Sequence, residues 1–370
     1  MSDPTYLLRI ERRLSEIAAA DRLRHVQPQR PRDAIDFSSN DYLGLSTDPQ
    51  VVQAFRNASR VGSGGARLLG GRHREHSLLE EELAAWLGRE RVLLFSSGYL
   101  AALGAIAALG SVVDTIYSDE RNHASLIDGI RATGLAREIY PHAQLPPPGL
   151  RCAPALIVSE SLFSMDGDMI DVHEMLGRLG DDDVLLLDEA HALGVRGVQG
   201  AGLAGGIDDP RIVVLGTLSK ALGGLGGFIA GPERAIELLV NTARTFIFDT
   251  ALPPALALAA RIALVIARKA DDRRAHLDEL AARLRDRLIA GGACVAGDWN
   301  APIVPVILGG ERRAMDVAAR LLQQRSYAPA VRPPTVPPGT SRLRISLRSD
   351  LAVEHVDRLA GQIVECIAIL

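Results

Sequence analysis

The sequence uses very little lysine. Of its 41 basic residues only Lys220 and Lys269 are lysine, and the other 39 are arginine. An amine can lose its proton near neutral pH and attack a carbonyl, whereas a guanidinium stays charged. A chemical role that requires a neutral amine therefore has two side-chain candidates in this chain.

Cysteine is also scarce. Cys152, Cys294 and Cys366 are odd in number, far apart and without a C-x-x-C pair, which excludes a disulfide framework and a cysteine zinc site. The nine histidines show no H-E-x-x-H spacing, so we expect no metal. This cysteine usage predicts a reducing compartment, and we expect a cytoplasmic location.

The chain lacks both a charge excess and a long apolar run. Its net charge of −4 provides no electrostatic footprint for nucleic acid or an anionic membrane. We find no segment with the apolarity and length of a membrane span, and the N-terminus lacks the apolar core of a signal peptide. With 47% hydrophobic and 23% charged residues, the composition predicts a globular protein. The length of 370 residues exceeds one typical core, so we expect either two domains or a large domain with an appended smaller one.

What the sequence does contain is a pair of short, continuous apolar runs at 184–187 and 212–215. Such runs are typical of strands buried on both faces of a parallel sheet. Open sheets of this kind bind ligands at the carboxyl ends of their strands. Reactive side chains follow both runs directly: Asp188 and His191 after the first, and Thr217, Ser219 and Lys220 after the second.

Lys220 and Asp188 together suggest a particular cofactor. A lysine amine can hold an aldehyde as a Schiff base, and pyridoxal phosphate also needs a carboxylate that keeps its pyridine nitrogen protonated. Asp188, at the end of a neighbouring strand, suits that second role. The alternative is that Asp188 and Lys220 form an ordinary ion pair at the edge of the sheet.

Strand and helix patterns alternate from residue 92 to residue 230, which predicts an α/β fold with a mostly parallel sheet. An amphipathic helix is predicted over 5–25, followed by a break at 27–32, and a glycine-rich loop is predicted over 61–72. We expect three parts: a helical N-terminal arm (1–47), a large α/β domain (48–250) and a small α+β C-terminal domain (251–370).

Further residues could belong to the same site, although none is decisive alone. Ser97, Gly98 and Tyr99 lie where a strand meets a helix, which favours a phosphate or simply an N-cap. His123 could stack on a flat ring or cap its helix, and Ser164 lies in a Gly/Asp loop. Arg344, on a late strand, is either solvated or binds a carboxylate in a bidentate manner.

The order of these features resembles the fold-type I pyridoxal-phosphate enzymes, and among them the α-oxoamine synthases. The resemblance extends from about residue 5 to residue 365 and includes N-D-Y-L-G-L, G-S-G-G-A-R, S-S-G-Y, H-A-S-L, F-S-M-D-G-D, D-E-A-H-x-x-G-V and T-L-S-K-A-L-G. The loop R-P-P-T-V-P-P-G-T-S-R-L-R is most similar to the members of that family that act in biotin synthesis. The resemblance implies a large domain with a mostly parallel, seven-stranded sheet.

The resemblance also implies a role for each matching residue. Lys220 would bind the cofactor aldehyde, Asp188 the pyridine nitrogen and His191 the ring oxygen, while His123 would stack on the ring. The other implied positions are Gly98, Tyr99 and Thr217 at the phosphate, Ser164 beside the cofactor, Thr250 at the partner's phosphate in a homodimer, and Arg24, Thr335 and Arg344 at the substrates.

The reaction implied is a decarboxylative condensation of L-alanine with a pimeloyl thioester, carried by coenzyme A or a carrier protein. Three alternatives stand beside it. A glycine-using α-oxoamine synthase is disfavoured by the R-P-P-T-V-P loop, and a non-catalytic relative is disfavoured by the intact set of Lys220, Asp188 and His191. A nucleotide-binding module is disfavoured because G-S-G-G-A-R matches no phosphate-loop pattern.

Overall fold

A computed structural model describes residues 4–24, 31 and 33–369 of the chain. Within these residues there are twelve α-helices and twelve strands. The helices are α1 Thr5–Ala19, α2 Pro49–Arg56, α3 Arg74–Leu87, α4 Gly98–Gly110, α5 Ala124–Thr133, α6 Val172–Gly177, α7 Glu233–Thr242, α8 Arg244–Ile247, α9 Pro254–Arg268, α10 Asp271–Ala290, α11 Glu311–Gln323 and α12 Val353–Ile369. The strands are β1 Ile35–Asp36, β2 Arg91–Phe95, β3 Thr115–Asp119, β4 Ala136–Tyr140, β5 Ala155–Glu160, β6 Val184–Asp188, β7 Ile212–Thr217, β8 Gly227–Gly231, β9 Ile303–Gly309, β10 Ser326–Tyr327, β11 Ala330–Val331 and β12 Ser341–Ser346.

The large sheet has seven strands in the order β2-β8-β7-β6-β5-β3-β4. The pairs among β3, β4, β5, β6 and β7 are all parallel, whereas β8 is antiparallel to both of its neighbours, β2 and β7. Since β8 reverses direction between them, β2 and β7 also point the same way. The predicted mostly parallel sheet is confirmed, and six of its strands end at one edge.

The central strands form because their residues are apolar on both faces. Every residue of β5 and β7 is buried, as are Leu185, Leu186 and Leu187 of β6. Helices cover both faces of the sheet, and the two faces correspond to two separate clusters of buried apolar side chains. Burial on both faces explains why these strands appear in the sequence as continuous apolar runs rather than alternating ones.

Close backbone approach brings one helix N-terminus to the edge of the sheet. A Cβ atom on Gly227 at the start of β8 would lie only 2.5 Å from Cα of Gly98, the first residue of α4. Any side chain at position 227 would push α4 away from the sheet. Glycine there lets the N-terminus of α4 lie against β8, beside the end of β7.

A second, smaller sheet follows in the C-terminal part. It has three antiparallel strands in the order β11-β12-β9, with helices α10, α11 and α12 in the same part of the chain. The short strand β1 pairs in parallel with β10, so the segment before the large sheet is joined to this smaller unit. Helix α9 contacts α2 and α3. The domain boundaries at 47 and 250 remain predictions.

The structure differs from the sequence prediction at helix α1 and at strand β4. Helix α1 ends at Ala19 rather than continuing to residue 25, because Asp21 adopts a left-handed conformation with φ of 53° and terminates it. Residue 25 and most of the predicted break at 27–32 lie outside the described residues. Strand β4 was not predicted, because four of its five residues are exposed and carry no apolar run.

The first helix has no buried residue. Its apolar side chains Tyr6, Leu7, Leu8, Ile10 and Leu14 are all exposed, as expected for an amphipathic helix that packs against none of the described residues. Across the part of the chain that the structure describes, no helix combines the length and apolarity that crossing a membrane requires.

Candidate active site

The strands that run in the same direction deliver polar side chains to one edge of the large sheet. A cavity of about 210 Å³ lies there. It is lined by Ser97, Gly98, Tyr99, His123, Ser125, Glu160, Asp188, Ala190, His191, Leu215, Thr217, Ser219 and Lys220. Seven of the residues predicted from the sequence are therefore neighbours around one cavity: Gly98, Tyr99, His123, Asp188, His191, Thr217 and Lys220.

The floor of the cavity holds two carboxyl groups and one amine. Asp188 is the last residue of β6, and Glu160, the last residue of β5, is its direct partner in the register of the two strands. Lys220 follows the neighbouring strand β7. Both acidic side chains are almost completely buried. Among the described residues Oε1 of Glu160 has no hydrogen-bond partner, whereas Oε2 accepts the backbone N–H of Ser164 at 3.3 Å.

Glu160 was not predicted as a site residue. The sequence does contain a signal for it, because Glu160 ends the apolar run A-L-I-V-S-E in the same way that Asp188 ends V-L-L-L-D. A carboxylate directly after a strand that is buried on both faces lies at the ligand-binding edge of a parallel sheet.

Burial and the charges of the neighbouring groups determine the protonation of the amine and the two carboxyl groups on the cavity floor. Burial lowers the pKa of Lys220 to about 8, although the carboxylates of Asp188 and Glu160 act in the opposite direction. Burial also raises the pKa of Asp188, against the attraction of Lys220. The pKa of Glu160 is raised well above its usual range by burial and by the charge of Asp188, so we assign the proton of the acidic pair to Glu160.

Two histidines complete the cavity, and both are neutral near pH 7. Burial lowers the pKa of His123, and it holds the pKa of His191 well below its usual range, with the charges of Lys220 and Arg344 adding to the effect. His123 is the N-cap of α5 and its Nδ1 accepts the backbone N–H of Ser125 at 3.2 Å. His123 therefore caps α5 and lines the cavity at the same time.

Tyr42 supports His191 from the opposite side. Its hydroxyl lies 2.7 Å from Nδ1 of His191 and 3.2 Å from Oδ1 of Asn40, and the tyrosine is fully buried. Asn40 and Tyr42 belong to the segment N-D-Y-L-G-L, which resembles the family as a block but for which no role of a single residue was predicted. The structure therefore assigns this segment to the support of the cavity.

Hydroxyl groups and a helix N-terminus lie at one end of the cavity. Oγ of Ser97 accepts the backbone N–H of Leu100 and caps α4, and the first turn of α4 opens toward the cavity at Gly98 and Tyr99. Thr217 Oγ1 lies 2.8 Å from Oγ of Ser219. A helix N-terminus with adjacent hydroxyls is a favourable site for a phosphate.

Arg344 approaches the cavity from the smaller sheet. It is buried on β12, and its Nε donates to the carbonyl oxygen of Ser164 at 2.6 Å. Its Nη1 donates to Oδ1 of Asn40 at 3.1 Å and to Oγ of Ser346 at 2.7 Å. Arg344 is thus a fixed, buried cation rather than a solvated one, and Ser164 contacts it through the backbone instead of lining the cavity.

The remaining predicted residues lie outside the cavity. Arg24 is exposed, and its Nη2 donates to the carbonyl oxygen of Pro333 at 3.4 Å, so it contacts the loop that carries the exposed Thr335. Two predicted substrate residues from opposite ends of the chain are therefore near each other. Thr250 is exposed and follows Asp249, which accepts a hydrogen bond from Ser96 beside the N-terminus of α4.

These groups fit pyridoxal phosphate. The cavity offers a lysine with a lowered pKa for the aldehyde, a buried carboxylate for the ring nitrogen and an amide-and-hydroxyl end for the phosphate. Oε1 of Glu160, a buried polar atom that finds no hydrogen-bond partner within the described ranges, lies at the same cavity. No group of three or more histidine, cysteine, aspartate or glutamate side chains suited to a metal ion occurs in the residues that the structure describes.

The comparison with known proteins agrees with this chemistry. The family described as aminotransferase class I and II matches residues 32–363. An 8-amino-7-oxononanoate synthase of Burkholderia thailandensis is 42% identical over 350 residues, which is 90% of this chain and 89% of that protein. The chain belongs to the 8-amino-7-oxononanoate synthase family.

Solved structures of this family and its neighbours share the whole fold. A serine palmitoyltransferase of S. paucimobilis with bound PLP and myriocin has a TM-score of 0.85 at 26% identity and covers 99% of this chain, with 98% of its own length matched. An 8-amino-7-oxononanoate synthase of Francisella tularensis has a TM-score of 0.78 at 28% identity, with 91% of this chain and 98% of that one covered.

Family membership confirms several expectations from the sequence. The fold-type I architecture, the dependence on pyridoxal phosphate and the identification as an enzyme of the α-oxoamine synthase group are confirmed. The roles assigned to individual residues, and the homodimer, remain predictions.

Proposed function

We propose that the chain condenses L-alanine with a pimeloyl thioester to form 8-amino-7-oxononanoate, a step of biotin synthesis, and that the cavity at the edge of the large sheet is the active site. The observation that carries the proposal is the convergence of Lys220, Asp188 and His191 on one cavity, with Arg344 held beside it. The names of the relatives support the choice of product.

The bonds that change are few. The α-carbon of L-alanine loses a proton and forms a bond to the thioester carbonyl carbon, and the thiol of the carrier leaves. The carboxylate that alanine brought then leaves as carbon dioxide, and the same carbon takes up a proton. Pyridoxal phosphate, when bound, supplies an aldehyde for the amino group and a ring that accepts the electron pair left at the α-carbon.

Lys220 would be the base that removes the α-proton and the acid that returns a proton to the product. With its pKa at about 8, roughly a tenth of this side chain is a neutral amine at pH 7. A base is most effective when its pKa lies near the working pH. The burial that lowers the pKa of Lys220 therefore has a direct catalytic consequence.

Other residues would hold the cofactor. Asp188 would pair with the protonated ring nitrogen, His123 would stack on the ring, and His191 would donate to the ring oxygen. The first turn of α4 at Gly98 and Tyr99, with Thr217, would bind the phosphate. Glu160, in its protonated form, would leave Asp188 as the single anion facing the ring nitrogen.

Arg344 would bind the carboxylate of L-alanine. Its guanidinium is held by Ser164, Asn40 and Ser346, so the bound carboxylate would have one defined position. A fixed carboxylate orients the bonds at the α-carbon, and correct orientation is a large part of the rate in such reactions. Thr335 and Arg24 would contact the substrates near the entrance.

We also propose that the active chain is a homodimer. Apolar side chains on the glycine-rich loop and on the segment before Thr250 are strongly exposed, among them Val61 at 90%, Leu69 at 85% and Phe248 at 68%. The glycine-rich loop that carries the first two is bonded to the segment after Thr250, since Ser63 Oγ donates to the carbonyl of Ala251 at 2.7 Å. An exposed apolar patch of this kind favours a protein interface.

The function is tested by measuring thiol and carbon dioxide release with a panel of amino acids and acyl thioesters. We expect L-alanine with a pimeloyl thioester to have the highest kcat/KM, and L-alanine to exceed glycine by about tenfold, the usual effect of one methyl group. If glycine with an acetyl or succinyl thioester, or serine with a palmitoyl thioester, were the better pair, the proposed product would be wrong.

The dimer is tested by complementation. Mixed dimers of Lys220→Ala and Thr250→Val chains contain one site with a normal Lys220 and a normal Thr250 from the partner, if Thr250 acts across the interface. We expect mixing to restore activity above that of the Thr250→Val chain alone. A fully active monomer in analytical ultracentrifugation at the assay concentration would contradict the dimer.

A further inference from the structure

His142 lies in the turn after β4, between one acidic residue at the end of a strand and another in a loop. Its Nδ1 lies 3.0 Å from Oδ1 of Asp119 at the end of β3, and its Nε2 contacts Oδ2 of Asp168 in the loop after β5. The imidazole also meets the ring of Phe163 edge-on, with centroids 4.4 Å apart. One side chain thus connects two neighbouring segments at the edge of the sheet.

This geometry requires a positive charge on His142. Both ring nitrogens of histidine carry hydrogens only in the imidazolium form, and here both face carboxylate oxygens. Burial opposes the charge, but the hydrogen bonds and charges of Asp119 and Asp168 outweigh it and raise the pKa of His142 to about 9. The ring therefore stays protonated through the neutral range.

Two other acidic residues belong to the same segments: Glu120 contacts the backbone of His142, and Asp166 is paired with arginines. Glu120, next to Asp119, accepts the backbone N–H of His142 at 3.2 Å. Asp166 is paired with Arg342 at 2.8 Å and with Arg121 at 3.4 Å.

Asp168 depends on His142 for the compensation of its charge more than Glu120 and Asp166 do. Its second oxygen, Oδ1, is buried and has no hydrogen-bond partner in the part of the chain that the structure describes. His142 is consequently the cation that compensates Asp168.

The loop that carries Asp168 also carries Ser164, whose carbonyl oxygen accepts from Arg344. The backbone N–H of Phe163 donates to the carbonyl of Asp168 at 2.9 Å, and that of Gly167 donates to the carbonyl of Phe163 at 2.9 Å. These bonds make residues 163–168 one compact unit. A displacement at Asp168 would therefore displace Ser164, which is one of the three residues that hold the guanidinium of Arg344.

We propose that His142 is a positioning residue of the amino-acid subsite: its imidazolium ties the 163–168 loop to the end of β3 and thereby holds Arg344 in place. The inference rests on the proposed function, in which Arg344 binds the carboxylate of the amino acid. It assigns His142 no contact with the substrate or the cofactor.

The central experiment compares two ligands that differ in one group. The cofactor-loaded His142→Gln chain is titrated with L-alanine and with ethylamine, and binding is followed by the cofactor absorbance. We expect the dissociation constant of L-alanine to rise by about tenfold, the effect of weakening one charge-assisted hydrogen bond, while that of ethylamine stays within about twofold. Equal weakening of both ligands, or of neither, would overturn the proposal.

Kinetics and a matched control separate positioning from general damage. We expect KM for L-alanine to rise in His142→Gln with a much smaller change in kcat. His276→Gln is the control, because His276 on α10 likewise has a partner at each ring nitrogen: Nδ1 lies 3.7 Å from a carboxylate oxygen of Glu279, and Nε2 lies 2.9 Å from the carbonyl oxygen of Leu351. This control should leave both ligands unaffected; a similar loss of L-alanine binding in it would contradict the assignment.

Asp168→Asn tests the same proposal from the other side of the contact, so this test does not depend on the folding of His142→Gln. It should reproduce the selective loss of L-alanine binding, and the double variant should be no worse than either single variant. Independent losses that multiply in the double variant would overturn the proposal. If no amino acid and thioester pair gave product, the proposed function would fail, whereas the ligand comparison would still decide the role of His142.

Nuclear magnetic resonance of the cofactor-free chain gives a readout that does not involve activity. The imidazole of His142 should titrate well above the usual range in the unmodified chain and shift toward the ordinary histidine pKa in Asp168→Asn. A His142 resonance that titrates in the ordinary range in both chains would overturn the proposal.

Discussion

The hydroxyl of Tyr42 lies 2.7 Å from Nδ1 of His191, and this contact joins the N-terminal segment to the cavity. Tyr42 is also 3.2 Å from Oδ1 of Asn40, so its single proton has two acceptors. The shorter distance favours donation to His191. Because the pKa of His191 is held well below its usual range, the neutral ring then carries its hydrogen on Nε2, the nitrogen left free for a ligand.

Removing the hydroxyl of Tyr42 should disturb this tautomer. In Tyr42→Phe we expect kcat/KM to fall by about tenfold, since one buried hydrogen bond is lost and the hydrogen of His191 is no longer confined to Nε2. The pH titration of the cofactor absorbance should shift as well. Tyr140→Phe is the control, because this hydroxyl is also buried but donates to the carbonyl oxygen of Val158 at 3.3 Å rather than to a histidine. An unshifted titration in Tyr42→Phe would contradict the role.

Lys220 should be the residue that captures pyridoxal phosphate. Treating the loaded chain with borohydride should abolish the visible absorbance band and label one peptide. The chain contains its own control, because Lys269, the second of its two lysines, is exposed. We expect the label on Lys220 in the unmodified chain and in Lys269→Arg, and no label in Lys220→Arg; a label on Lys269 would disprove the cofactor assignment.

The pH dependence of capture follows from the pKa of Lys220. Only the neutral amine attacks an aldehyde, and the pKa of this side chain is lowered to about 8. The rate of pyridoxal phosphate uptake by the cofactor-free chain should therefore rise with pH and level off above about 8, measured by stopped-flow absorbance. A rate that continued to rise to pH 10 would indicate an amine with an ordinary pKa.

Amide substitution should reduce kcat strongly at one carboxyl group of the cavity floor and only slightly at the other. Asp188→Asn removes the anion that would pair with the ring nitrogen, and we expect kcat to fall by about a thousandfold or more, equivalent to a loss of ~4–5 kcal/mol. Glu160→Gln keeps a neutral side chain of the same shape, so kcat should stay within about tenfold.

This comparison tests the assigned protonation directly. Because the pKa of Glu160 is raised well above its usual range, glutamine resembles the form that is present at pH 7. Glu160→Ala serves as the control for shape and should be worse than Glu160→Gln. A Glu160→Gln chain as inactive as Asp188→Asn would show that Glu160 must be ionised.

His142 should also contribute to stability in a pH-dependent way. Its pKa is about 9 in the folded chain against about 6.5 when unfolded, so its contribution is complete below pH 6.5 and is lost as pH rises through 9. The free energy of unfolding of the unmodified chain should exceed that of His142→Gln by roughly 3 kcal/mol more at pH 6 than at pH 9.5. Denaturant titration at both pH values measures it, and a difference independent of pH would rule out the charged form.

Local patterns in the sequence were enough to locate the central strands and the chemistry at their ends. The runs before Asp188 and after Arg211 are apolar because both faces of the sheet are covered, and such runs can be seen without a structure. Because the chain has only two lysines, the sequence also indicated Lys220 as a candidate for the reactive amine. The resemblance of the motif blocks added the cofactor and the reaction class, which family membership confirms.

The tertiary structure decided which groups support that chemistry, because their contacts connect positions far apart in the chain. Tyr42 and His191 are separated by 149 positions, and Arg344 bonds the carbonyl of Ser164 from 180 positions away. Periodicity reports the environment of a segment but not its distant partner. The burial that protonates Glu160 and the two carboxylates that charge His142 arise only when strands β3, β5 and β6 lie side by side.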